Sequence, residues 1–344
     1  MSAAPRGGWV ATAPVRADLA GGTLDLWPLG LLHPGGITVA SAVSLFVEAR
    51  ALPAEREGWT RVRSRDLGLA RSFRAAKRAE SRGKLELLEL VACAAGPEQG
   101  LVLDCLSPVR AGSGLGTSSA LGVAAAAAAL RLGGHRARPE RVVPLVRDLE
   151  AQVLGIPTGT QDHEAAWRGG IVLLEHRAGG PLVRRVAGPL VRALGERLVL
   201  VDSGQARSSG PSNWDMVRRR IDGDAAAVRA LSEVAEAGRR AAEALARGDW
   251  RALGRAMVRD LAAREEWSPL VLTPALSAIF EAALRSGAIG YRVCGAGGGG
   301  YAVVLVEPAR RERAVREIAA TGATVSPARP VTRGLRLSRA ADRR

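Results

Sequence analysis

The chain reads Pro108-Val-Arg-Ala-Gly-Ser-Gly-Leu-Gly-Thr-Ser-Ser-Ala120, with three glycines in alternation directly before an alanine-rich run. Alanine has the highest helix propensity, so this run predicts a helix that starts at Ser118 and stops at Gly133. Glycines before a helix start let backbone N–H groups converge on an anion, and the helix dipole adds positive charge. A linker before a capped helix would not need so many glycines. The stretch therefore predicts a phosphate-binding loop, with candidate nucleotide-binding residues Gly112, Ser113, Gly114, Leu115, Gly116, Thr117, Ser118 and Ser119.

Two common nucleotide motifs do not account for the glycines of this chain. A Walker A loop ends in Gly-Lys-Ser/Thr, and neither Lys77 nor Lys84 is followed by Ser or Thr. A second loop, Gly295-Ala-Gly-Gly-Gly-Gly300, fits Gly-x-Gly-x-x-Gly, but a dinucleotide site requires a helix directly after it. The run Tyr301-Ala-Val-Val-Leu-Val306 predicts a strand instead. We therefore expect a glycine turn that another loop or a phosphate approaches closely.

Two acidic residues are candidates for phosphoryl-transfer chemistry. Glu150 lies near the end of a predicted helix over 139–154, and Asp162 follows in a glycine-flanked loop. A carboxylate at Asp162 can accept a proton from a substrate hydroxyl, and Glu150 can hold Mg²⁺. From the residues alone, a turn aspartate and a solvated glutamate remain the competing interpretation. His163 and His176 are interpreted as structural or surface residues, because no nucleophile accompanies them.

The composition restricts the class of protein. The chain has 344 residues, 47% of them apolar and 24% charged, which is typical of a folded protein of two domains. The net charge of +15 makes nucleic-acid binding an alternative function. The arginines are scattered, however, and are not interleaved with aromatic residues as in stacking platforms. An arginine-rich solvated surface is therefore the preferred interpretation, and we expect no nucleic-acid partner.

The cysteines and the N-terminal residues indicate where in the cell the protein is located. Cys93, Cys105 and Cys294 have no zinc-site spacing, and their odd number argues against a disulfide framework. Residues 1–16 contain no apolar signal-peptide core. The longest apolar run, 120–130, is far shorter than the ~20 residues of a membrane span. We expect a cytoplasmic protein without a membrane partner.

The order of the patterns predicts an α+β protein. Gly188-Pro189 interrupts the pattern, so we place one domain at 1–190 and a second at 191–344. Residues 68–94 have helical spacing. Residues 223–266 predict a helical hairpin that turns at Gly248, with Asp249 capping the next helix.

Three segments together resemble the GHMP kinase superfamily, named for galacto-, homoserine, mevalonate and phosphomevalonate kinases. Their order and separation match that superfamily over residues 10–310. The segments are Pro14-Val-Arg-Ala-Asp-Leu-Ala-Gly-Gly-Thr-Leu-Asp25, the 108–120 loop, and Gly290-Tyr-Arg-Val-Cys-Gly-Ala-Gly-Gly-Gly-Gly300.

Within the superfamily, the chain is most similar to sugar kinases of the heptose 7-phosphate kinase, fucokinase and galactokinase kind. The motifs that carry this similarity are Ala20-Gly-Gly22, Gly159-Thr-Gln-Asp162 and Ser203-Gly-Gln-Ala-Arg-Ser-Ser209. There are two departures. Leu24 replaces the polar residue expected before Asp25, and Arg292 stands where a lysine is common.

The resemblance implies a fold and a set of residue roles. The first domain would be like domain 2 of ribosomal protein S5 and the second ferredoxin-like, with the active site between them. The implied cofactors are ATP and Mg²⁺, with the metal held by Ser119 and Glu150. Asp162 would be the catalytic aspartate and Arg16 would lie near the reacting hydroxyl. The implied substrate-binding residues are Asp25, Gly297 and Gly298.

The function implied is ATP- and Mg²⁺-dependent phosphorylation of a hydroxyl, the anomeric one, of a sugar or sugar phosphate. Heptose 7-phosphate, fucose and galactose are examples of such acceptors. A mevalonate kinase-type isoprenoid enzyme is the alternative within the superfamily, and Asp25 with the Gln161-Asp162 pair favours the sugar kinase. We expect a small-molecule substrate and a monomer or homodimer.

Overall fold

The computed structural model describes residues 7–75, 83–110, 112–205 and 213–340. Its strands are β1 (Trp9–Ala20), β2 (Ile37–Pro53), β3 (Trp59–Ser64), β4 (Leu69–Arg74), β5 (Leu101–Leu106), β6 (Ile171–Glu175), β7 (Leu182–Val186), β8 (Leu198–Asp202), β9 (Ala288–Val293), β10 (Tyr301–Val306), β11 (Thr324–Ser326) and β12 (Arg336–Arg339). Its α-helices are α1 (Leu29–Leu32), α2 (Glu86–Ala95), α3 (Thr117–Leu132), α4 (Pro139–Leu154), α5 (Gln161–Arg168), α6 (Pro189–Arg197), α7 (Asn213–Ile221), α8 (Ala225–Arg247), α9 (Trp250–Trp267), α10 (Pro274–Arg285) and α11 (Arg311–Ala319).

The larger sheet has eight strands, with β12, β1, β2, β5, β3 and β4 side by side and β6 and β7 continuing from β2. Helix α3 packs against β1 and β2. Its alanines from Ala124 to Ala129 are fully buried, as expected of a helix that is apolar all round. The small alanine side chains let the backbone of α3 approach the sheet, which fixes the position of the glycine loop at its N-terminus.

The smaller sheet has the order β11-β8-β10-β9. Along the chain, β8 is followed by helices, the hairpin β9–β10, helix α11 and then β11. This β-α-β-β-α-β order in an antiparallel sheet is the ferredoxin-like arrangement. The predicted α+β fold with a ferredoxin-like second domain is therefore confirmed.

The predicted helical hairpin is present as α8 and α9. Gly248 closes α8 with a left-handed conformation, φ +66°, and the Asp249 carboxylate accepts a hydrogen bond from Ala252 N at 2.9 Å. Helix α9 packs on β9, where Gly254 and Gly290 meet so closely that a Cβ on Gly254 would lie 2.6 Å from the carbonyl carbon of Ile289. The contact between two glycines brings α9 directly against the segment that leads into the second glycine loop.

The predicted helix over 68–94 is wrong in its first part. Residues 69–74 form β4, an edge strand paired with β3, and the helix α2 begins only at Glu86. Most of β4 is exposed, so it lacks the alternation of buried and exposed residues that identifies a strand in a sequence. Residues 76–82 lie outside the described residues.

The change from one sheet to the other falls between β7 and β8, at 187–197. The last strand, β12, returns to the larger sheet and pairs with β1. The division of the chain into 1–190 and 191–344 stays a prediction. Among the described helices, none has both the length and the apolar composition that a membrane crossing requires.

Candidate active site

The glycine loop before α3 forms a cradle for an anion. Gly112, Gly114 and Gly116 all have positive φ, at 76°, 85° and 67°, a conformation that L side chains rarely adopt. Helix α3 begins at Thr117, one residue earlier than predicted, and no described side chain caps it. Its first N–H groups therefore point at a cavity of about 300 Å³ that the loop lines.

The two glycine loops touch each other, as the sequence predicted for the second one. A Cβ on Gly114 would lie 2.5 Å from the carbonyl oxygen of Cys294. Tyr301 N donates to the carbonyl oxygen of Ser113 at 2.9 Å, and the strand β10 follows the second loop directly. The second loop thus supports the phosphate loop from behind, and the chain enters a strand where a dinucleotide site would need a helix.

Replacing Gly114 with Val is expected to weaken binding of an ATP analogue by about tenfold or more, the value of one charge-assisted hydrogen bond. The added side chain would displace the loop from Cys294 O and strain a residue with φ +85°. Calorimetric titration with AMP-PNP measures the effect. Gly134→Val is the matched control, because Gly134 has φ +80° at the other end of α3 with open space around it. Equal affinities for the two folded variants would mean that the loop does not contact the nucleotide.

Arg16 and Asp162 meet at the edge of this cavity. Arg16 Nε donates to Asp162 Oδ1 at 2.6 Å, and Arg16 Nη1 donates to the carbonyl oxygen of Gly114. Burial opposes the charge on Arg16, but the carboxylates of Asp162 and Asp18 outweigh it and raise the pKa of the guanidinium. The side chain of Asp162 is 23% exposed, against 5% for Arg16. The pair therefore presents an accessible carboxylate beside a buried, charged arginine.

The predicted loop position of Asp162 is wrong, because Asp162 is the second residue of helix α5. A glycine-flanked Thr-Gln-Asp sequence suggests a turn, and here it forms the first turn of a short helix instead. The consequence is a fixed carboxylate. A Cβ on Gly116 would lie 2.7 Å from Asp162 Cγ, so only glycine permits this approach of the loop.

Glu150 lies on α4 opposite the start of α3. Ser119 Oγ donates to Glu150 Oε2 at 2.7 Å, and His163 Nε2 lies 3.2 Å from the same oxygen. Burial raises the pKa of Glu150, but His163 and the hydroxyls of Ser119 and Ser118 outweigh it and hold that pKa below its usual range. His163 is thus a buried structural residue beside Glu150, a contact that the sequence did not reveal.

The donor set at Ser119 and Glu150 fits a hard divalent cation. A hydroxyl and an ionised carboxylate are oxygen ligands of the kind that Mg²⁺ prefers, and Mg²⁺ commonly keeps waters and substrate phosphates as its other ligands. Within the described part of the chain, no three His, Cys, Asp or Glu residues cluster as a complete metal site. Ser119 and Glu150 are therefore the candidate ligands for a cation.

Asp25 contacts the N-terminal end of helix α5, the helix that carries Asp162. Asp25 Oδ2 accepts a hydrogen bond from Gln161 N at 3.0 Å, and a Cβ on Gly159 would overlap its carboxylate. Burial raises the pKa of Asp25 to about 6, and the charges of Asp162 and Asp18 add to this rise against the hydrogen bond from Gln161. Asp25 is therefore held against the N-terminus of the helix that carries Asp162.

A second and larger cavity, of about 500 Å³, opens beside Asp25. Thr158 lines this cavity and also the cavity of the phosphate loop, so the two spaces adjoin. Both polar and apolar residues line the second cavity, among them Asp25, Thr158, Thr160, Arg147, Arg177, Leu26, Trp27, Pro28 and Leu31. Arg16 and Asp162 line the cavity of the glycine loop and not the second cavity.

Gly297 and Gly298 lie in the second glycine loop, against the segment before α10. Gly298 N donates to the carbonyl oxygen of Val271 at 3.0 Å, and a Cβ on Gly297 would lie 2.7 Å from the same oxygen. Their role in substrate binding stays a prediction. Residues 206–209 of the Ser203–Ser209 motif lie outside the described residues.

A buried ion-pair network, which the sequence did not reveal, ties the site together. Arg292 Nη2 lies 3.0 Å from Asp18 Oδ2, and Arg292 also pairs with Asp260. Arg264 Nε lies 3.0 Å from Asp260 Oδ1, and Arg264 Nη1 donates to the carbonyl oxygen of Gly295 at 2.8 Å. All four side chains are at most 2% exposed. The network joins β1, α9 and β9 directly behind the second glycine loop.

One sequence signal points to this network. Asp260 and Arg264 are four residues apart on α9, the spacing of neighbours on one helix face. The same face carries Met257 and Leu261, which are buried. Charged residues on an apolar face are a sign of a buried ion pair. Their partners on β1 and β9 follow only from the packing of the two sheets.

These features define a class of protein. An anion cradle, a carboxylate and hydroxyl suited to a cation, and a charged Arg–Asp pair in the wall of the same cavity are the components of an ATP-dependent phosphotransferase. Models of known families give the particular family. The model described as GHMP kinases N terminal domain matches residues 82–170, and the model described as GHMP kinases C terminal matches residues 241–324. The chain belongs to the GHMP kinase family.

Known proteins of this kind are similar over most of the chain. D-glycero-alpha-D-manno-heptose 7-phosphate kinase of Campylobacter jejuni is 25% identical over 89% of this chain and 91% of its own length. A galactokinase of Mycobacterium tuberculosis is 31% identical over 67% of this chain and 72% of its own. A bifunctional fucokinase/GDP-fucose pyrophosphorylase of Arabidopsis thaliana is 28% identical over 63% of this chain, which spans 21% of that longer protein. These similarities confirm the predicted relationship to sugar kinases.

A solved structure confirms the fold. The D-glycero-D-manno-heptose 1-phosphate kinase from Bacteriodes thetaiotaomicron superposes with a TM-score of 0.77. The superposition covers 97% of this chain and all of that one, at 21% identity. The two-domain GHMP kinase architecture therefore extends over nearly the whole chain.

Proposed function

We propose that the protein transfers a phosphoryl group from ATP, with Mg²⁺, to a hydroxyl of a sugar or sugar phosphate, and that this hydroxyl is the anomeric one. The observation that carries the proposal is the Arg16–Asp162 pair in the wall of the glycine-loop cavity, which shares Thr158 with the larger cavity. One cavity has the glycine cradle of a nucleotide site. The other has Asp25 and two threonines, which suit a polyhydroxy acceptor.

The residues of the first cavity would hold the nucleotide. The N–H groups of the 112–117 loop and the start of α3 bind its phosphates. Ser119 and Glu150 supply oxygen ligands for the cation, which when bound neutralises charge on the β- and γ-phosphates. Leu87, Val153 and Leu154 line the same cavity and supply apolar surface to the rest of the nucleotide.

Arg16, Asp162 and Asp25 would act on the acceptor. Asp162 accepts a hydrogen bond from the attacking hydroxyl and takes its proton as the new P–O bond forms and the bond from the γ-phosphorus to the bridging oxygen breaks, with ADP as the leaving group. Arg16 fixes the orientation of Asp162 and places a positive charge beside the transferring phosphoryl group. Asp25 accepts a hydrogen bond from a further hydroxyl of the sugar. Positioning and electrostatics supply most of the rate acceleration in such reactions.

An acceptor panel tests this function. With ATP and Mg²⁺, we expect galactose, fucose or heptose 7-phosphate to be turned over at least about tenfold faster than mevalonate or homoserine. The reason is that a site built to bind several hydroxyls loses those hydrogen bonds with a less polar acceptor. A coupled assay of ADP release measures the rates. The 1-deoxy analogue of the fastest sugar is the matched control and should remain unphosphorylated.

Each outcome of the panel has one meaning. Preferential turnover of mevalonate would replace the sugar kinase with the mevalonate kinase-type enzyme. Turnover of the 1-deoxy analogue at the rate of its parent sugar would mean that a hydroxyl other than the anomeric one is phosphorylated.

A further inference from the structure

Trp27 forms part of the wall of the second cavity and remains 71% exposed. Leu31, in the next helical turn, lines the same wall and is 43% exposed. An indole is among the largest apolar surfaces that a side chain offers, and its exposure to water is unfavourable. Single exposed apolar residues are common on protein surfaces, but a tryptophan in the wall of a concave site is typical of ligand contact.

The position of Trp27 limits what can cover it. Trp27 follows Asp25 by two residues, so their Cα atoms are at most about 7 Å apart. Asp25 is itself bonded to Gln161 N, directly before Asp162. Trp27 and Asp25 line the same cavity, so a ligand of the size of one sugar ring that lies on the indole is within reach of Asp25. Because the cavities adjoin at Thr158, the acceptor of the transfer reaction is the occupant that the geometry favours.

The two kinds of residue that line the cavity match the two kinds of surface on a sugar. A sugar ring has faces of C–H groups and an edge of hydroxyls. Trp27, Pro28 and Leu31 offer apolar surface, and Asp25 and Thr160 offer hydrogen-bonding groups. A less polar acceptor would give the carboxylate of Asp25 no hydrogen bond beyond the one from Gln161 N, and a smaller one would leave the indole in water.

We propose that Trp27 is a specificity-determining residue for the acceptor, and that its indole packs against the C–H face of the sugar ring. This inference rests on the proposed function and assigns the apolar contact of that same site. The contact acts on the bound acceptor alone. Nucleotide binding takes place in the neighbouring cavity, whose lining residues do not include Trp27.

The experiment compares Trp27→Ala, Trp27→Phe and the wild type with galactose, fucose and heptose 7-phosphate as acceptors. Trp27→Ala is expected to raise KM for the best acceptor by about tenfold, because an aromatic contact of this kind contributes on the order of that factor. KM for ATP and the melting temperature should stay at the wild-type values. Trp27→Phe should restore KM for the acceptor, since a phenyl ring offers the same flat apolar surface.

Trp214→Ala is the matched control, because Trp214 is also exposed, at 37%, and does not line the cavity. It should leave KM for the acceptor unchanged. An unchanged KM in folded Trp27→Ala, or an equal rise in Trp214→Ala, would overturn the role of Trp27. Failure of the wild type to phosphorylate any of the three sugars would overturn the proposed function itself, and with it the acceptor site.

Discussion

Replacing Asp162 with Asn is expected to lower kcat by about 10²- to 10⁴-fold, the usual contribution of a general base. The amide keeps the shape of the side chain but has no negative charge to take the proton of the attacking hydroxyl. Its carbonyl oxygen still accepts the hydrogen bond from Arg16 Nε, which now lies 2.6 Å from Asp162 Oδ1. The variant should therefore fold, and AMP-PNP affinity should change little because the phosphates contact the loop before α3.

Three measurements on this variant separate catalysis from structure: kcat, nucleotide affinity by calorimetry, and the melting temperature. If Asp162 only caps a helix turn, the variant loses thermal stability while the remaining folded protein keeps a near-normal kcat. Asp222→Asn is the matched control, because Asp222 is exposed and lines neither cavity. A stable Asp162→Asn protein with the kcat of the wild type would contradict the catalytic assignment.

The glycine loop before α3 and the family could be predicted from the sequence because their signals are local. Alternating glycines before an alanine-rich run define both a loop and a helix start, and the observed helix begins within one residue of the predicted one. Gly248 and Asp249 likewise mark the end of one helix and the start of the next within four residues. Such features depend on backbone conformation and capping, which a short stretch of chain determines alone.

The details of the site depend on contacts between distant segments, and these were not predictable. Arg16 and Asp162 are 146 residues apart along the chain, yet they form one ion pair. His163 appeared structural from the sequence, but its position against Glu150 follows only from the packing of α5 on α4. The strand β4 was missed for a related reason, because its pairing with β3 and not its own pattern makes it a strand.

The buried ion-pair network connects the larger sheet to the smaller sheet next to the candidate active site. Asp18 is on β1 of the larger sheet, whereas Arg292 is on β9 of the smaller one. Arg264 extends the same network to the backbone of the second glycine loop, which in turn contacts Gly114. A displacement of these side chains would therefore shift the second glycine loop and, through it, Gly114 in the loop before α3.

The second large effect is expected on stability. Replacing Arg292 with Met should lower the free energy of unfolding by about 3–5 kcal/mol, the cost of removing one partner from a buried ion pair. The methionine fills a similar volume, but the buried carboxylates of Asp18 and Asp260 would keep only Arg264 as an ion-pair partner. Urea denaturation followed by circular dichroism measures the change.

Two further variants show whether the loss comes from the buried charge. Arg285→Met removes an exposed arginine at the end of α10 and should change stability by less than about 0.5 kcal/mol. Arg292→Lys keeps the charge but not the planar fork that contacts two carboxylates at once. We expect its stability to lie between those of the wild type and Arg292→Met. A stability of Arg292→Met equal to that of Arg285→Met would mean that the four charges do not hold β1, α9 and β9 together.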